Sequence, residues 1–353
     1  MTAAPRIVIA AGGTAGHVVP ALAVADALRA EGASVAFVGG ERAEAELVPA
    51  AGYALHGIRV AGLDRKNPLR AARAAFLAVR AVVTSIRLLR RLRADAVMGG
   101  GGYVAGPVGM AAVLLRVPLV LTEADSHLGI ANRLLAPFAR RVCLAFPIAG
   151  RSGARYLVTG RPVPAPATDR AAARARFGLA PDDTVVLVFG GSLGARSINH
   201  AAVEAFADAP FRVLHAAGAR DFPSLQAPGP HYDLREYVHE FGDALFAADL
   251  VVARSGGSIF EIAAHGRPAI LIPYPAAAAD HQTANARWMA DGAAALVIRD
   301  ADLTAERLRA EVDALLGDPA RLSAMAAASA ALARPDAAAD IAAELLAAAR
   351  RDG

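Results

Sequence analysis

The feature that most constrains this chain is an alternation that runs its full length. Short apolar runs rich in β-branched residues are separated by longer stretches of helical periodicity. In the first half the runs are Arg6–Ala11, Ser34–Val38, Ala96–Met98, Pro118–Thr122 and Arg141–Leu144; in the second they are Thr184–Phe189, Phe211–His215, Leu250–Ala253, Ala269–Ile272 and Ala294–Val297. Continuous apolar runs fit strands covered on both faces, as in parallel sheets, and the helical stretches supply the crossovers such sheets need. The pattern predicts an α/β chain of two Rossmann-like domains with parallel sheets.

A length of 353 residues suits two domains. The boundary falls at Arg161-Pro162-Val163-Pro164-Ala165-Pro166, which can form neither a helix nor a central strand. The expected organisation is a first domain over 1–160, a hinge over 161–168 and a second domain over 169–353, whose C-terminal helix is a candidate to pack back on the first. Two similar domains on a proline-rich hinge are expected to face each other across a cleft. In open α/β sheets ligands bind beyond the carboxyl ends of strands, so the loops there carry the chemistry.

Several classes are disfavoured at once. The single Cys143 excludes a disulfide framework and a thiolate metal cluster, and it fits a reducing compartment. Met1–Ile9 runs into a strand pattern without the features of a signal peptide, and apolar stretches such as Val104–Leu115 are shorter than the roughly 20 residues that span a bilayer. A cytoplasmic or peripheral protein is expected. The net charge of +4 divides unevenly: 19 Arg plus Lys against 9 Asp plus Glu up to Gly160, and 18 against 24 beyond it.

The first run ends in Ala11-Gly12-Gly13-Thr14-Ala15-Gly16-His17, with a helix expected from about Val18 and Pro20 in its first turn. Small residues let the backbone approach a ligand, and amides at a helix start favour an anion. The spacing is not that of a dinucleotide loop, and the acid after the second run, Glu41, lies in a loop of its own. His17, at the mouth of the loop, can take a proton near neutral pH. A second loop, Val97-Met98 followed by Gly99-Gly100-Gly101-Gly102-Tyr103, spends four glycines after a strand, and an anion of pyrophosphate size at the next helix is the expected reason.

The second domain carries Gly190-Gly191-Ser192-Leu193-Gly194-Ala195-Arg196 and Arg254-Ser255-Gly256-Gly257-Ser258-Ile259-Phe260-Glu261. A diphosphate between the two helix starts would be held by amides and by the Ser192 and Ser258 hydroxyls. Glu261 can accept two hydrogen bonds from a ribose diol or act as a capping acid. Asp280 is an N-cap candidate for the following helix, and Gln282 just inside it offers an amide to sugar hydroxyls.

Taken in order, these segments resemble the MurG family, inverting glycosyltransferases of peptidoglycan synthesis that move N-acetylglucosamine from its UDP ester to an undecaprenyl-diphosphate-linked muramoyl-pentapeptide. The resemblance rests on G-G-T-A-G-H at 12–17, G-G-Y-V-A-G-P at 101–107, G-G-S-L-G-A-R at 190–196, E-I-A-A-H-G-R-P at 261–268 and D-H-Q-T-A-N-A at 280–286. It implies the glycosyltransferase-B architecture, with no cofactor and no metal. For the donor it implies Thr14, Ala15, Gly16, Asp125, Arg161, Ser192, Val238, Ser255, Gly256, Gly257, Ser258, Glu261 and Gln282, with Val238 meeting uracil through its backbone. For the acceptor it implies Gly13, His17, Gly101, Gly102 and Tyr103. Two positions depart from the family pattern: Asp125 stands where an asparagine is usual, and Pro164 where an arginine is usual, with Arg161 nearby.

Under this resemblance His17 is the expected general base for the muramoyl 4-hydroxyl, with Glu123 and Asp125 as alternatives. A lipid acceptor calls for a membrane surface. From Arg65 to Arg93 the chain has nine basic residues, interleaved with apolar ones and with no acid. A helix there would lie on an anionic bilayer through Leu69, Arg73, Phe76, Arg80, Val83 and Arg87, placing the protein on the cytoplasmic face of the cell membrane. Nucleic acid is not an expected partner, because aromatics are only 5% and no recognition motif interleaves the arginines. The sequence names no protein partner. The alternative reading is a related UDP-sugar transferase acting on another lipid or a small molecule.

Overall fold

The computed structural model describes residues 4–60, 68–191, 194–277 and 280–350, without the side chains of 68–76 and 78. The chain divides into two compact units, Met1–Pro164 with Arg334–Gly353, and Ala165–Ala333.

In the first unit the strands are β1 (Arg6–Ala10), β2 (Ser34–Gly39), β3 (Ala54–Gly57), β4 (Ala96–Gly99), β5 (Leu119–Glu123), β6 (Arg141–Leu144) and β7 (Tyr156–Val158). They form a parallel sheet in the order β3-β2-β1-β4-β5-β6-β7. Its helices are α1 (Ala15–Ala30), α2 (Ala43–Ala50), α3 (Pro68–Leu92), α4 (Ala105–Leu115) and α5 (Ile130–Leu135). The second unit holds β8 (Val185–Phe189), β9 (Arg212–Ala216), β10 (Tyr232–Arg235), β11 (Leu250–Ala253), β12 (Ala269–Leu271) and β13 (Ala295–Val297), parallel in the order β10-β9-β8-β11-β12-β13. Its helices are α6 (Arg170–Arg176), α7 (Arg196–Ala205), α8 (Phe241–Ala247), α9 (Ile259–Ala264), α10 (His281–Asp291), α11 (Ala305–Leu316) and α12 (Pro319–Leu332); the last helix is α13 (Ala337–Ala349).

Every predicted apolar run overlaps a strand. Central β8 is buried at all its residues, because helices cover both faces. In both sheets the topological switch lies beside the first strand: β1 sits between β2 and β4, and β8 between β9 and β11. The loops after β1 and β4, and after β8 and β11, therefore lie side by side at the carboxyl end of their own sheet.

The unit division falls inside the predicted hinge, but the C-terminal segment belongs with the first unit. Ile341, Ala342, Leu345 and Ala348 of α13 share a core with Ile7, Val18, Val24 and Leu28 of β1 and α1. Asp336, α13's N-cap residue, follows the unit boundary by a few residues.

Candidate active site

In the first unit the helix begins earlier than predicted. α1 starts at Ala15, so Pro20 lies in its interior and not in its first turn. A proline there cannot donate to the carbonyl four residues back. That carbonyl is Gly16's, and Arg161 Nη2 donates to it at 2.6 Å. His17, the next residue, is half-buried. Burial and the Arg161 charge push its pKa below the ordinary value, opposed by Asp125, so the imidazole is neutral at pH 7. His17, Thr122, Glu123 and Arg161 line one cavity of about 40 Å³, room for little more than water.

The four-glycine loop has a structural cause that an anion alone does not supply. A Cβ on Gly102, at φ +75°, would stand 1.8 Å from the Gly12 carbonyl oxygen, and one on Gly101 would stand 2.8 Å from His17 Nδ1. The loops after β1 and β4 touch backbone to backbone, and Gly101 leaves space for the histidine ring.

Sequence reasoning missed the residue that fastens these loops. Glu44, fully buried at the start of α2, accepts from Gly13 N through Oε2 at 2.8 Å, from Gly40 N through Oε1 at 2.8 Å, and from the Tyr103 hydroxyl through Oε1 at 2.7 Å. Burial alone would raise its pKa, but these hydrogen bonds outweigh it and hold the carboxyl below its ordinary value. Burial, and after it the same bond, push the Tyr103 phenol up to about 12. The only sequence signal for Glu44 is an acid in the first turn of a helix, which is a common surface feature.

Glu123, weighed above as an alternative base, has both oxygens engaged. Oε2 accepts from Gly129 N at 2.8 Å and Asn132 Nδ2 at 2.9 Å, and Oε1 from Asp125 N at 3.2 Å. Burial raises its pKa against these bonds. The arrangement assigns Glu123 to shaping the loop that carries Asp125 into α5. Asp125 itself is half-buried and acts on His17 through its charge.

In the second unit Ser192 lies outside the described residues. Gly194, two residues on, has no room for a side chain: a Cβ there would meet the Ala217 carbonyl oxygen at 2.0 Å. Ser255 is buried, and its hydroxyl donates to the Gln282 carbonyl at 2.7 Å, which joins the loop after β11 to α10. Asn285 Nδ2 donates to the Ser255 carbonyl at 2.9 Å and completes the join. Gln282 Oε1 accepts from Tyr274 N at 3.0 Å, which leaves Nε2 beside Gly256. Gly256, Gly257 and Ser258 lead into α9, and Glu261 sits in its first turn. Val238 is buried between β10 and α8. Asp280 stands at the N-cap of α10 in the left-handed region, at φ +54°, and accepts from the Thr283 hydroxyl in place of a backbone amide.

A second clamp was also missed. Arg254 is buried and donates to the Ile272 and Pro273 carbonyls, to Asp300 Oδ1 at 2.6 Å and to Ser197 Oγ at 2.8 Å. It ties β11 to α7 and to the loop after β12. Arginine suits this place because its planar fork serves several acceptors at once.

Of the proposed membrane residues, Leu69, Arg73 and Phe76 have side chains outside the described residues. Arg80, Val83 and Arg87 are exposed on α3. Much of the helix's apolar stripe is spent inside the domain: Leu89 is buried, and Val82, Ile86, Leu88 and Leu92 pack against the core. Val79, within the predicted segment, is exposed as well, and apolar exposure continues outside that segment at Leu114, Ile130, Leu134 (63%) and Phe138 (62%). These lie on or next to α3, α4 and α5, which pack α3 on α4 and α4 on α5. No helix among the described residues is long and apolar enough to cross a membrane, and among them no group of three or more His, Cys, Asp or Glu is placed to hold a metal.

Comparison with known proteins agrees along the whole chain. The glycosyltransferase family 28 N-terminal domain matches residues 7–144, and the glycosyltransferase family 28 C-terminal domain matches residues 185–341. A UDP-N-acetylglucosamine–N-acetylmuramyl-(pentapeptide) pyrophosphoryl-undecaprenol N-acetylglucosamine transferase of Rubrobacter xylanophilus is 43% identical over 335 residues, covering 93% of this chain and 99% of that protein. The transferase of the same name from Moorella thermoacetica is 41% identical, covering 94% and 96%. The crystal structure of Acinetobacter baumannii MurG superposes with a TM-score of 0.79 at 29% identity, covering 98% of this chain and all of that one. With both family 28 domains matched and relatives above 40% identity over nearly its whole length, the chain belongs to glycosyltransferase family 28 and, within it, to the MurG transferases.

Proposed function

We propose that the protein transfers N-acetylglucosamine from UDP-N-acetylglucosamine to the 4-hydroxyl of an undecaprenyl-diphosphate-linked N-acetylmuramoyl-pentapeptide, with inversion at the anomeric carbon. The observation that carries this reading is the near-complete coverage, on both sides, of relatives bearing that activity in their names.

The residues fit roles in that reaction. A neutral imidazole at His17 takes the proton of the attacking hydroxyl as the new bond forms to the anomeric carbon, and the bond to the UDP oxygen breaks. General-base help of this kind contributes about 10²- to 10⁴-fold. On the second unit the amides of Gly256 and Gly257, the Ser258 hydroxyl and the start of α9 would receive the charge of the departing diphosphate. Glu261 would take the ribose diol, the Val238 backbone the uracil, and Gln282 Nε2 the donor sugar. Gly13, Gly101, Gly102 and Tyr103 would frame the acceptor, with Thr14, Ala15, Gly16, Asp125 and Arg161 beside the transferred sugar.

The exposed apolar side chains of α3 to α5, together with Arg80, Arg87, Arg116 and Arg133, support seating on an anionic bilayer at the cytoplasmic face. The deciding experiment measures UDP release from UDP-N-acetylglucosamine with and without the muramoyl-pentapeptide lipid. Release that depends on that lipid is the expected result. Release that is equally fast without it, or only with a different acceptor, would refute the assignment.

A further inference from the structure

The first unit carries a second concavity, apart from the small cavity at His17. It is a groove of about 770 Å³ between the loop after β2, the end of β3 and the exposed side of α3. Arg42, Arg59 and Arg80 line it, with Thr84 as a hydroxyl donor and, among the described residues, Glu41 as an opposing carboxylate. Three arginines from three separate segments of the chain line it. Fork-shaped donors of this kind match phosphate oxygens and bind them more strongly than neutral donors do. Leu77 and Val60 give the groove an apolar side toward α3, the helix that bears the exposed Val79 and Val83.

The groove and the glycine loops share one wall, Tyr103. The Arg42 guanidinium lies over its ring at 5.0 Å, and the Glu44 carboxylate holds its hydroxyl at 2.7 Å. On the other side, the Tyr103 ring edge lies 3.8 Å from where a Gly13 Cβ would stand, and the neighbouring Gly101 abuts His17. The order across the surface is therefore arginine groove, Tyr103, glycine loops, His17. A sugar bearing a diphosphate at C1 and a reactive hydroxyl at C4 has those groups at opposite ends of its ring, in the same order.

We propose that this groove binds the diphosphate of a polyprenyl-diphosphate-linked acceptor, Arg42, Arg59 and Arg80 holding the phosphates and the α3 side receiving the first prenyl carbons. The proposal rests on the acceptor class named above, and it makes the three arginines determinants of acceptor affinity with no part in donor binding.

The test titrates farnesyl diphosphate into the full chain in the presence of saturating UDP, which occupies the donor's diphosphate site. Binding by the unaltered protein is expected. It should weaken at least tenfold in each of Arg42→Gln, Arg59→Gln and Arg80→Gln and vanish in the triple variant, while KM for UDP-N-acetylglucosamine is unchanged in all of them, a sign that the fold is intact. Partial recovery in Arg59→Lys would fit a charge role. A triple variant that binds farnesyl diphosphate as the parent does overturns the proposal. Anionic vesicles separate the two sources of phosphate: loss of vesicle sedimentation in the triple variant with farnesyl diphosphate binding retained would make this a phospholipid site and also overturn it. Because binding is read without turnover, a chain that binds the probe through these arginines yet transfers no sugar refutes the acceptor reading and leaves the groove standing. Unchanged acceptor KM in an active triple variant does the reverse.

Discussion

Arg161 Nη2 reaches the Gly16 carbonyl at 2.6 Å, and it does so because Pro20, four residues further along α1, has no N–H to offer. A residue just before the unit boundary thereby replaces a missing helix hydrogen bond beside His17. Its charge also acts on the imidazole. One side chain links backbone repair in α1 to the protonation of the residue next to the repaired carbonyl.

This link is separable by a double-mutant cycle. Arg161→Gln removes a charge-assisted hydrogen bond and should cost about 1 kcal/mol of stability, at the low end for such bonds because the pair is solvent-accessible. Pro20→Ala restores an amide to serve Gly16. In that background Arg161→Gln should cost measurably less, and thermal unfolding of the four proteins checks it. Equal costs in both backgrounds would show that the proline and the arginine are unrelated.

The pH dependence of turnover follows from the same contacts. His17 acts as a base only when neutral, and its pKa lies below 6.5 through burial and Arg161. The acid limb of kcat/KM should therefore lie below that value. Arg161→Gln removes a lowering influence and should move the limb to higher pH, whereas Asp125→Asn removes a raising one and should move it lower. His17→Ala should abolish the limb and cost about 10²- to 10⁴-fold in kcat. A limb that stays in place in all three variants would assign the base elsewhere.

The strands legible in the sequence were those with a continuous apolar run, the edge strand β13 among them. The three that were missed, β3, β7 and β10, are all sheet edges: Ala54–Gly57 exposes its first and last residues, Tyr156–Val158 is largely exposed, and Tyr232–Arg235 carries Asp233 and Arg235. An edge strand needs no continuous apolar run, so periodicity has nothing to detect. The site divides in the same way. His17, Gln282 and the glycine loops were legible because backbone closeness demands small residues in order along the chain. Glu44 and Arg254 were not, since most of their partners, amides, carbonyls, hydroxyls and the Asp300 carboxylate, come from distant segments, and no local spacing records such contacts. The Ser255 contact was equally invisible: its hydroxyl ends on the Gln282 carbonyl, 27 residues away, and no local spacing records that.

Two glycines of one motif should respond oppositely to alanine. Gly102 is in the left-handed region with a carbonyl 1.8 Å from the added Cβ, so Gly102→Ala must push the loops after β1 and β4 apart and should reduce turnover at least a hundredfold. Gly106 lies inside α4, and its Cβ would meet only the Ala131 methyl at an ordinary 3.6 Å. Gly106 is in the helix's first turn, so Gly106→Ala should leave turnover intact and raise stability by about 0.4–1 kcal/mol, chiefly by reducing the freedom of the unfolded chain. Steady-state rates and melting temperatures of the two variants decide the matter; equal losses would refute the loop contact.

The Glu44 clamp yields the sharpest local prediction, because all three of its partners donate. A glutamine at this position keeps one acceptor oxygen and must turn its NH₂ toward a donor, so Glu44→Gln should cost about 1–3 kcal/mol. Tyr103→Phe removes a donor and leaves the carboxylate with two, and should cost about 1 kcal/mol. The folded carboxyl titrates below its ordinary value, so its stabilisation is complete above the unfolded pKa of about 4.3 and is lost as pH falls through the folded pKa. The stability gap between the parent and Glu44→Gln should accordingly close in acid. Amide exchange gives a readout confined to the clamp: Gly13 and Gly40, whose N–H groups end on this carboxylate, should exchange faster in Glu44→Gln, while the amides of β8 in the other unit keep their protection. Unchanged exchange at Gly13 and Gly40 would mean that the loops are held by their glycine contacts alone.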